Sequence, residues 1–296
     1  MGRIDLHMHS IYSNDGDFEP EEIVKKCDEA GIGIMAIADH NSCRAVQGAV
    51  AEAKKRNMSC IPAIELDCCY KDVDLHVLGY GIDVSDKRYA ELEERLAEEE
   101  RASSAPRLRM MRARGLVIDE EKAYALAHYG YVTGEVIAEV ALADERNKDH
   151  PMLREYRPGG KRCDNPYVNF YWDWCAKGKE LYIPIHFISL EEAVELIRSS
   201  GGVPVLAHPG NNIKEREDLL QEVVESGMEG IEVYCSYHNP CQTEYYRKKA
   251  DLFDLAVTCG SDYHGKTKPS IFLGKLDCGG EEEYIAEGLQ RLGLLP

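Results

Sequence analysis

The chain has 296 residues, 44% hydrophobic and 30% charged, which suits a soluble globular protein with one full core or one core plus an insertion. Its formal net charge of −18 repels nucleic-acid backbones and anionic membranes, which argues against long DNA or RNA and against a membrane partner. No run approaches the ~20 apolar residues of a membrane span, and Met1 to Ser10 lacks a secretory apolar core, so a cytoplasmic location is expected.

In chain order, Arg3-Ile4-Asp5-Leu6-His7-Met8-His9 alternates strictly, predicting a strand with His7 and His9 on one face. Pro20 opens a helix whose apolar face is Ile23, Val24, Cys27 and Ala30, and Gly31 ends it. Ile34 to Ala38 is a continuous apolar run of the kind found in buried parallel strands, ending at Asp39-His40. A second helix follows, with Ala45, Val46, Ala49, Val50 and Ala53 inside. Cys60 to Ile64 predicts a third strand ending at Glu65, and Asp74 to Tyr80 a fourth that contains His76.

The texture changes after Ser85. Asp86 to Arg101 is a charge-rich helical stretch that Pro106 should interrupt or redirect, and Arg107, Arg109, Arg112 and Arg114 read mainly as a helix surface. An Ala-rich helix is expected from Asp119 to His128. Residues 145–180 hold Pro151, Pro158-Gly159-Gly160, Pro166 and both tryptophans without clear periodicity, and read as loops. Residues 85–185 are therefore expected to form a helical insertion, a small cap domain.

Strand–helix alternation then returns. Ser189-Leu190-Glu191-Glu192 is a capping box opening a helix that stops at Gly201-Gly202. Val203 to Ala207 is a strand ending at His208, Arg216 to Ser226 a helix, and Ile231 to Tyr234 a strand. Pro240 to Phe253 reads as a helix, and Leu255 to Cys259 as the strand that delivers Gly260-Ser261-Asp262-Tyr263-His264. Such alternation implies an α/β protein with a parallel sheet and helices outside. Seven strands outside the insertion, with polar residues at many strand ends, favour an irregular closed barrel of residues 1–84 and 186–296.

Those polar residues are the ligand types that hold Zn, Mn or Fe. A His-x-His pair alone is weak evidence, since about one chain in three of this composition would hold one by chance. Asp15-Gly16 alone is an ordinary turn, Asp39-His40 a cap and a surface histidine, and His76 a satisfied core histidine. Together they are different: six of the ten histidines end or punctuate strands beside Asp15, Glu65 and Asp262. Burying that set without a cation would cost several kcal/mol per unpaired ion. The eleven cysteines, odd in number and without a Cys-x-x-Cys pair, read as reduced thiols, with Cys27, Cys60 and Cys259 as small core residues.

His7-x-His9, Asp15-Gly16, Asp39-His40, Glu65, His76, His208-Pro209 and Gly260-Ser261-Asp262-x-His264, in this order, resemble the PHP (polymerase and histidinol phosphatase) family. The likeness covers roughly residues 1–84 and 186–296 and is strongest to the small stand-alone phosphoesterases of nucleotide or sugar phosphates, which also carry a helical insertion. It implies a distorted (β/α)7 barrel and a site for two or three divalent transition metals, Zn, Mn or Fe. By that resemblance His7, His9, Glu65 and Asp262 would hold a first metal. Glu65 would bridge to a second, completed by His76 and His208, and Asp15, His40 and His264 would hold a third. Asp39 would orient His40 or a neighbour.

The expected chemistry is hydrolysis of a phosphoester by a hydroxide held between metals, with Glu65 and Asp262 central to it. His238 matches a position that relatives use near the phosphate, as a substrate contact or leaving-group acid. Lys179 is the first cation to nominate for the phosphate oxygens. Related nucleotide phosphatases often carry an arginine after the His-Pro-Gly turn, where this chain has Asn211, which offers neither charge nor a bidentate fork. The expected substrate is thus a compact ribose or nucleoside phosphate, monoester or cyclic phosphodiester. Histidinol-phosphate phosphatase, a C–N-cleaving amidohydrolase and a non-catalytic phosphate-binding domain are the alternatives; a polymerase-associated exonuclease fits the acidic charge poorly.

Overall fold

The computed structural model describes residues 2–296. Its first strand, β1, spans Arg3–Asp5, shorter than the predicted run to His9. Helix α1 (Pro20–Glu29) starts with Pro20 in its first turn, where a missing N–H costs nothing, and buries Ile23, Val24 and Cys27. Strand β2 (Ile32–Met35), helix α2 (Val46–Lys55) and the two-residue β3 (Ser59–Cys60) follow. Strand β4 (Ala63–Tyr70) continues well past Glu65 and turns directly into β5 (Val73–Tyr80). A two-residue connection can only return the chain beside itself, so β4 and β5 pair antiparallel, from Ala63 opposite Tyr80 to Tyr70 opposite Val73. An all-parallel sheet was the expectation; this hairpin breaks it.

Helix α3 runs without interruption from Lys87 to Ala113 with Pro106 inside it, so the predicted break there does not occur. Burial on both sides of the proline overrides its cost. Tyr89, Leu92 and Leu96 sit in the main apolar core, and Leu108 and Met111 in a second cluster. That second cluster is built from α3, α4 (Glu120–Leu126), α5 (Gly134–Ala143), the 3-10 turn Pro151–Tyr156 and α6 (Pro166–Trp174), with a further 3-10 turn at Glu145–Asn147 beside it in sequence. Residues 145–180 are therefore not all loop. Their short elements bury single large side chains, Leu153, Tyr156 and Phe170, which leave no periodic trace in the sequence.

Beyond the insertion come β6 (Ile188–Ser189), α7 (Leu190–Ser199), β7 (Val203–Leu206), the short α8 (Pro209–Asn212), α9 (Glu217–Glu225), β8 (Gly230–Cys235), α10 (Pro240–Phe253), β9 (Ala256–Gly260) and α11 (Glu282–Arg291). The Ser189 capping box forms as expected, with Ser189 and Glu192 each satisfying the other's backbone N–H.

The strands make a parallel sheet ordered β1-β2-β3 and a six-stranded sheet ordered β6-β4-β5-β7-β8-β9, so the architecture is mixed α/β. Within the larger sheet β5 runs against β4 and β7, while β7, β8 and β9 are parallel. The sheets meet at two places. Leu6 N donates to Cys259 O at 3.0 Å and His9 N to Tyr263 O at 2.9 Å, linking the β1 segment to the β9 segment. On the far side His40 bridges in parallel to Glu65, and Glu65 N donates to Asp39 O at 3.1 Å. Between these places lies a core that includes Leu6, Ile64, Leu78, Val205 and Val233. Among the described residues no helix is long and apolar enough to cross a membrane.

Candidate metal centre

All nine predicted ligand residues converge on one buried or partly buried cluster. His7 and His9 come from the segment after β1, His40 from the segment after β2, His208 from the end of β7, and Asp262 and His264 from the turn after β9. Glu65 and His76 come instead from inside the β4–β5 hairpin, because β4 stays extended to Tyr70. Glu65 is the hub. Its Oε1 lies 2.9 Å from His76 Nδ1 and 3.1 Å from His208 Nε2, and its Oε2 lies 3.1 Å from His7 Nε2 and 3.2 Å from both His9 Nε2 and His40 Nδ1. Asp262 Oδ1 lies 3.0 Å from His9 Nε2 and 3.5 Å from His7 Nε2, and Asp15 Oδ2 lies 3.2 Å from His264 Nε2.

Atoms able to ligate, all within 4.8 Å of one another, fall into groups. His7, His9, Glu65 and Asp262 form one, and Glu65, His76 and His208 a second. Asp15, His40 and His264 gather with His9 in a third, and a fourth holds His40, His76 and Asp67, which sequence reading passed over. The first three coincide in space with the sets expected from the sequence, with His9 added to the third.

Four imidazoles show why these residue types suit cations. His7 Nδ1 is held by Glu232 Oε1 at 3.1 Å, His9 Nδ1 by Ser13 Oγ at 2.8 Å, His208 Nδ1 by Asn212 Oδ1 at 2.9 Å and His264 Nδ1 by the Asp262 carbonyl at 2.8 Å. Each outer nitrogen is anchored, which fixes the ring and turns Nε2 inward, the arrangement that orients metal-binding histidines. The inward Nε2 atoms of His7, His9 and His264, with Asp15 Oδ1, Glu65 Oε2 and Asp262 Oδ1, are buried without a hydrogen-bond partner. Buried polar atoms are rarely left so, and here they share one centre. The donor set of imidazole and carboxylate therefore fits Zn, Mn or Fe.

The electrostatics agree. Burial would raise Asp15 and Glu65, but His264 beside Asp15 and His7 and His40 beside Glu65 outweigh it, and both carboxyls fall below the usual range. Burial, with His264 and His40 nearby, lowers His9 to about 4, whereas Glu65 and its acidic neighbours push His7 well up despite its burial. The two carboxyls thus shift together, while the two histidines of one His-x-His pair shift in opposite directions because only His7 faces mainly acidic neighbours.

Sequence reading missed the supports of this centre. Glu232 is a fully buried acid in the otherwise apolar β8, holding His7 Nδ1 and accepting from His208 N at 2.8 Å; a lone carboxylate in a buried strand was the available signal. Lys268 Nζ sits 2.6 Å from Asp262 Oδ2, which also accepts from the Tyr237 hydroxyl. Asp39 accepts from Ser10 N at 2.6 Å and Ser10 Oγ at 2.7 Å, so it fixes the turn after His9 rather than the His40 ring. Burial pushes Asp39 up to about 6.

The backbone is strained where ligands leave their strands: His208 has φ 24° and Asp262 φ 56°. Gly260 completes this approach, because a Cβ there would overlap His7 Cβ and lie 2.5 Å from Glu232 Oε1. Gly260→Ala should therefore destabilise the fold by about 1–3 kcal/mol, as overpacking does, and weaken metal uptake. Urea unfolding and metal content check it; wild-type values in both would show that β9 can retreat without loss.

The predicted substrate contacts fare differently. His238 donates from Nδ1 to Val233 O at 2.8 Å and accepts at Nε2 from Gly210 N at 3.0 Å, so its ring locks the turn after His208. Acting as a leaving-group acid would require breaking that second bond. Asn211 is exposed, and its neighbour Asn212 is the residue that holds His208. Lys179 is exposed after α6, and among the described residues its side chain has no hydrogen-bond or ion-pair partner. A cleft beside Asp15 is lined by His128, Glu135, Glu139 and Tyr167 from the segment that holds the second apolar cluster and by Lys266, so that segment borders the ligand residues. Lys266 ties the two together, 3.0 Å from Glu139.

Three relatives align along most of the chain. A 5'-3' exoribonuclease Rnm of Escherichia coli (strain K12) is 27% identical over 279 residues, 92% of this chain and 88% of that protein. A phosphoribosyl 1,2-cyclic phosphate 1,2-diphosphodiesterase of Eggerthella lenta is 26% identical, covering 88% of this chain and 94% of its own. A 3',5'-nucleoside bisphosphate phosphatase of Chromobacterium violaceum is 26% identical, covering 89% and 88%. The fold matches the solved structure of a Chromobacterium violaceum protein described as an amidohydrolase, at TM-score 0.78 and 22% identity over 97% of this chain and 96% of that one. The PHP domain family model matches residues 5–183, ending before His208. The chain belongs to the PHP domain family.

Proposed function

We propose that this protein is a metal-dependent phosphoesterase acting on compact ribose or nucleoside phosphates. The observation that carries the reading is the set of anchored imidazoles turned inward onto Glu65, Asp15 and Asp262. Two or three divalent ions of Zn, Mn or Fe would be held by the sets His7–His9–Glu65–Asp262, Glu65–His76–His208 and Asp15–His40–His264. Bound there, they would supply charge against phosphoryl oxygens and make water acidic enough to ionise near neutral pH. The chain supplies the rest. Glu232, Ser13 and Asn212 keep three rings from rotating, and Lys268 sets a buried cation beside Asp262. Lys179 is a free cation for a substrate phosphate, and His238 holds the turn that presents His208.

The contacts at Leu6–Cys259 and His40–Glu65 support a closed, distorted seven-stranded barrel of β1, β2, β4, β5, β7, β8 and β9. Residues 85–185, with their own apolar cluster bordering Asp15, are the cap that limits substrate size. Asn211 in place of a charged fork argues against a bisphosphate. Net charge of −18 and the cap disfavour polymers, although one relative bears an exoribonuclease name. Initial rates of metal-loaded protein on a ribose cyclic phosphate, a nucleoside monophosphate, a 3′,5′-bisphosphate and a short oligonucleotide test this. The first two should be fastest. An oligonucleotide as best substrate would overturn the size limit, preference for the bisphosphate would remove the Asn211 argument, and no phosphoester cleaved would sink the reading.

A further inference from the structure

Asp67 follows Glu65 by two residues on β4, so both carboxylates project from the same face of the strand. Its direct ladder partner on β5 is His76. Asp67 Oδ1 lies 3.0 Å from His40 Nδ1 and 3.4 Å from His76 Nε2, while Asp67 Oδ2 accepts from Asn41 Nδ2 at 2.7 Å. Asn41 Oδ1 in turn accepts from Asp67 N at 3.1 Å, a reciprocal pair that fixes the carboxylate plane. Asn41 N donates to Glu65 O at 2.7 Å, so the pinning residue is itself fastened to the hub strand.

His7, His9, His208 and His264 each have one ring nitrogen anchored by a fixed oxygen. His40 and His76 lack such a partner of their own unless it is Asp67. We infer that Asp67 is a positioning residue that fixes both rings at once, accepting Nδ1–H of His40 and facing Nε2 of His76 at ion-pair distance with the same oxygen. His40 is thereby left with Nε2 for the set shared with Asp15 and His264, and His76 with Nδ1 for the set shared with Glu65 and His208. The two rings are oppositely oriented, and one carboxylate ties the second set to the third. Glu65 joins the first two sets, and Asp67 extends that linkage without contributing a ligand atom. This rests on the proposed metal-binding reading.

The test uses the full-length protein with Zn2+ alone as probe. Calorimetric titration of wild type, Asp67→Ala, Asp67→Asn and Asn41→Ala gives equivalents and affinities. Imidazole 15N spectra of the Zn-loaded proteins give each ring's tautomer. Asp67→Ala should bind as many equivalents as wild type at saturation but about 10–100-fold more weakly in the steps that use His40 and His76. The ring N–H signals of His40 and His76 should broaden or switch tautomer, while that of His7, held by Glu232, stays. Asp67→Asn, which keeps an acceptor oxygen, should fall between, and Asn41→Ala, which leaves the carboxylate in place but unpinned, should weaken the same steps. Loss of a whole equivalent in Asp67→Asn would make Asp67 a ligand and overturn the inference. So would unchanged His40 and His76 signals in Asp67→Ala, or in Asn41→Ala if Asp67→Ala does not fold. Wild type that binds no Zn2+ would instead defeat the underlying metal reading.

Discussion

Glu65→Gln is expected to lower phosphoester hydrolysis at least ~100-fold while leaving the fold intact, because one carboxylate would serve the charge of two proposed ions. Glu65 faces five imidazoles, those of His7, His9, His40, His76 and His208, through its two oxygens. Glutamine keeps the shape and one acceptor oxygen but carries no charge, and its amide would point two hydrogens at imidazole nitrogens that are needed as donors of lone pairs. Initial rates and metal content of the purified variant, beside its circular dichroism, are the measurement. Near-normal turnover with full metal occupancy would return Glu65 to the role of a buried ion-pair partner.

Removing metal should abolish activity and also lower the unfolding temperature, and the second effect needs no substrate. A ligand that binds only the folded state adds about 2.7 kcal/mol per independent site when present at a hundred times its Kd. Two or three such sites add more than most single contacts in the fold contribute. The strained backbone at His208 and Asp262 and the partnerless atoms of the cluster are costs that such binding offsets. Scanning calorimetry with excess Mn2+ or Zn2+ against a chelator decides it. Identical transitions, with no metal found by elemental analysis, would mean that the cluster is stabilised by protons alone.

Local pattern carried the residues that leave strands in register with the chain's own periodicity. His7 and His9 were legible because alternation puts them on one face, and Ser189 with Glu192 because a capping box spans only four residues. The helix over Pro240–Phe253 formed between its predicted bounds. What stayed hidden depends on partners distant in sequence. Glu232 and His7 are separated by 225 residues, and nothing near either announces the other. Asp67 stays hidden because the apolar pattern of the third strand ends at Glu65, and only the continued pairing of β4 with β5 sets Asp67 opposite His76. The unbroken α3 was lost for the reverse reason: proline is a strong local signal, and here apolar burial on both sides of it prevailed.

That helix has a mechanical consequence. At 1.5 Å per residue α3 is a beam about 40 Å long, embedded in one apolar cluster at its start and in the other at its end. Pro106, past the midpoint, removes one rung of the hydrogen-bond ladder and notches the beam without cutting it. Any bending of α3 would therefore concentrate at Pro106, where the ladder lacks one hydrogen bond, and would shift the second apolar cluster relative to the first.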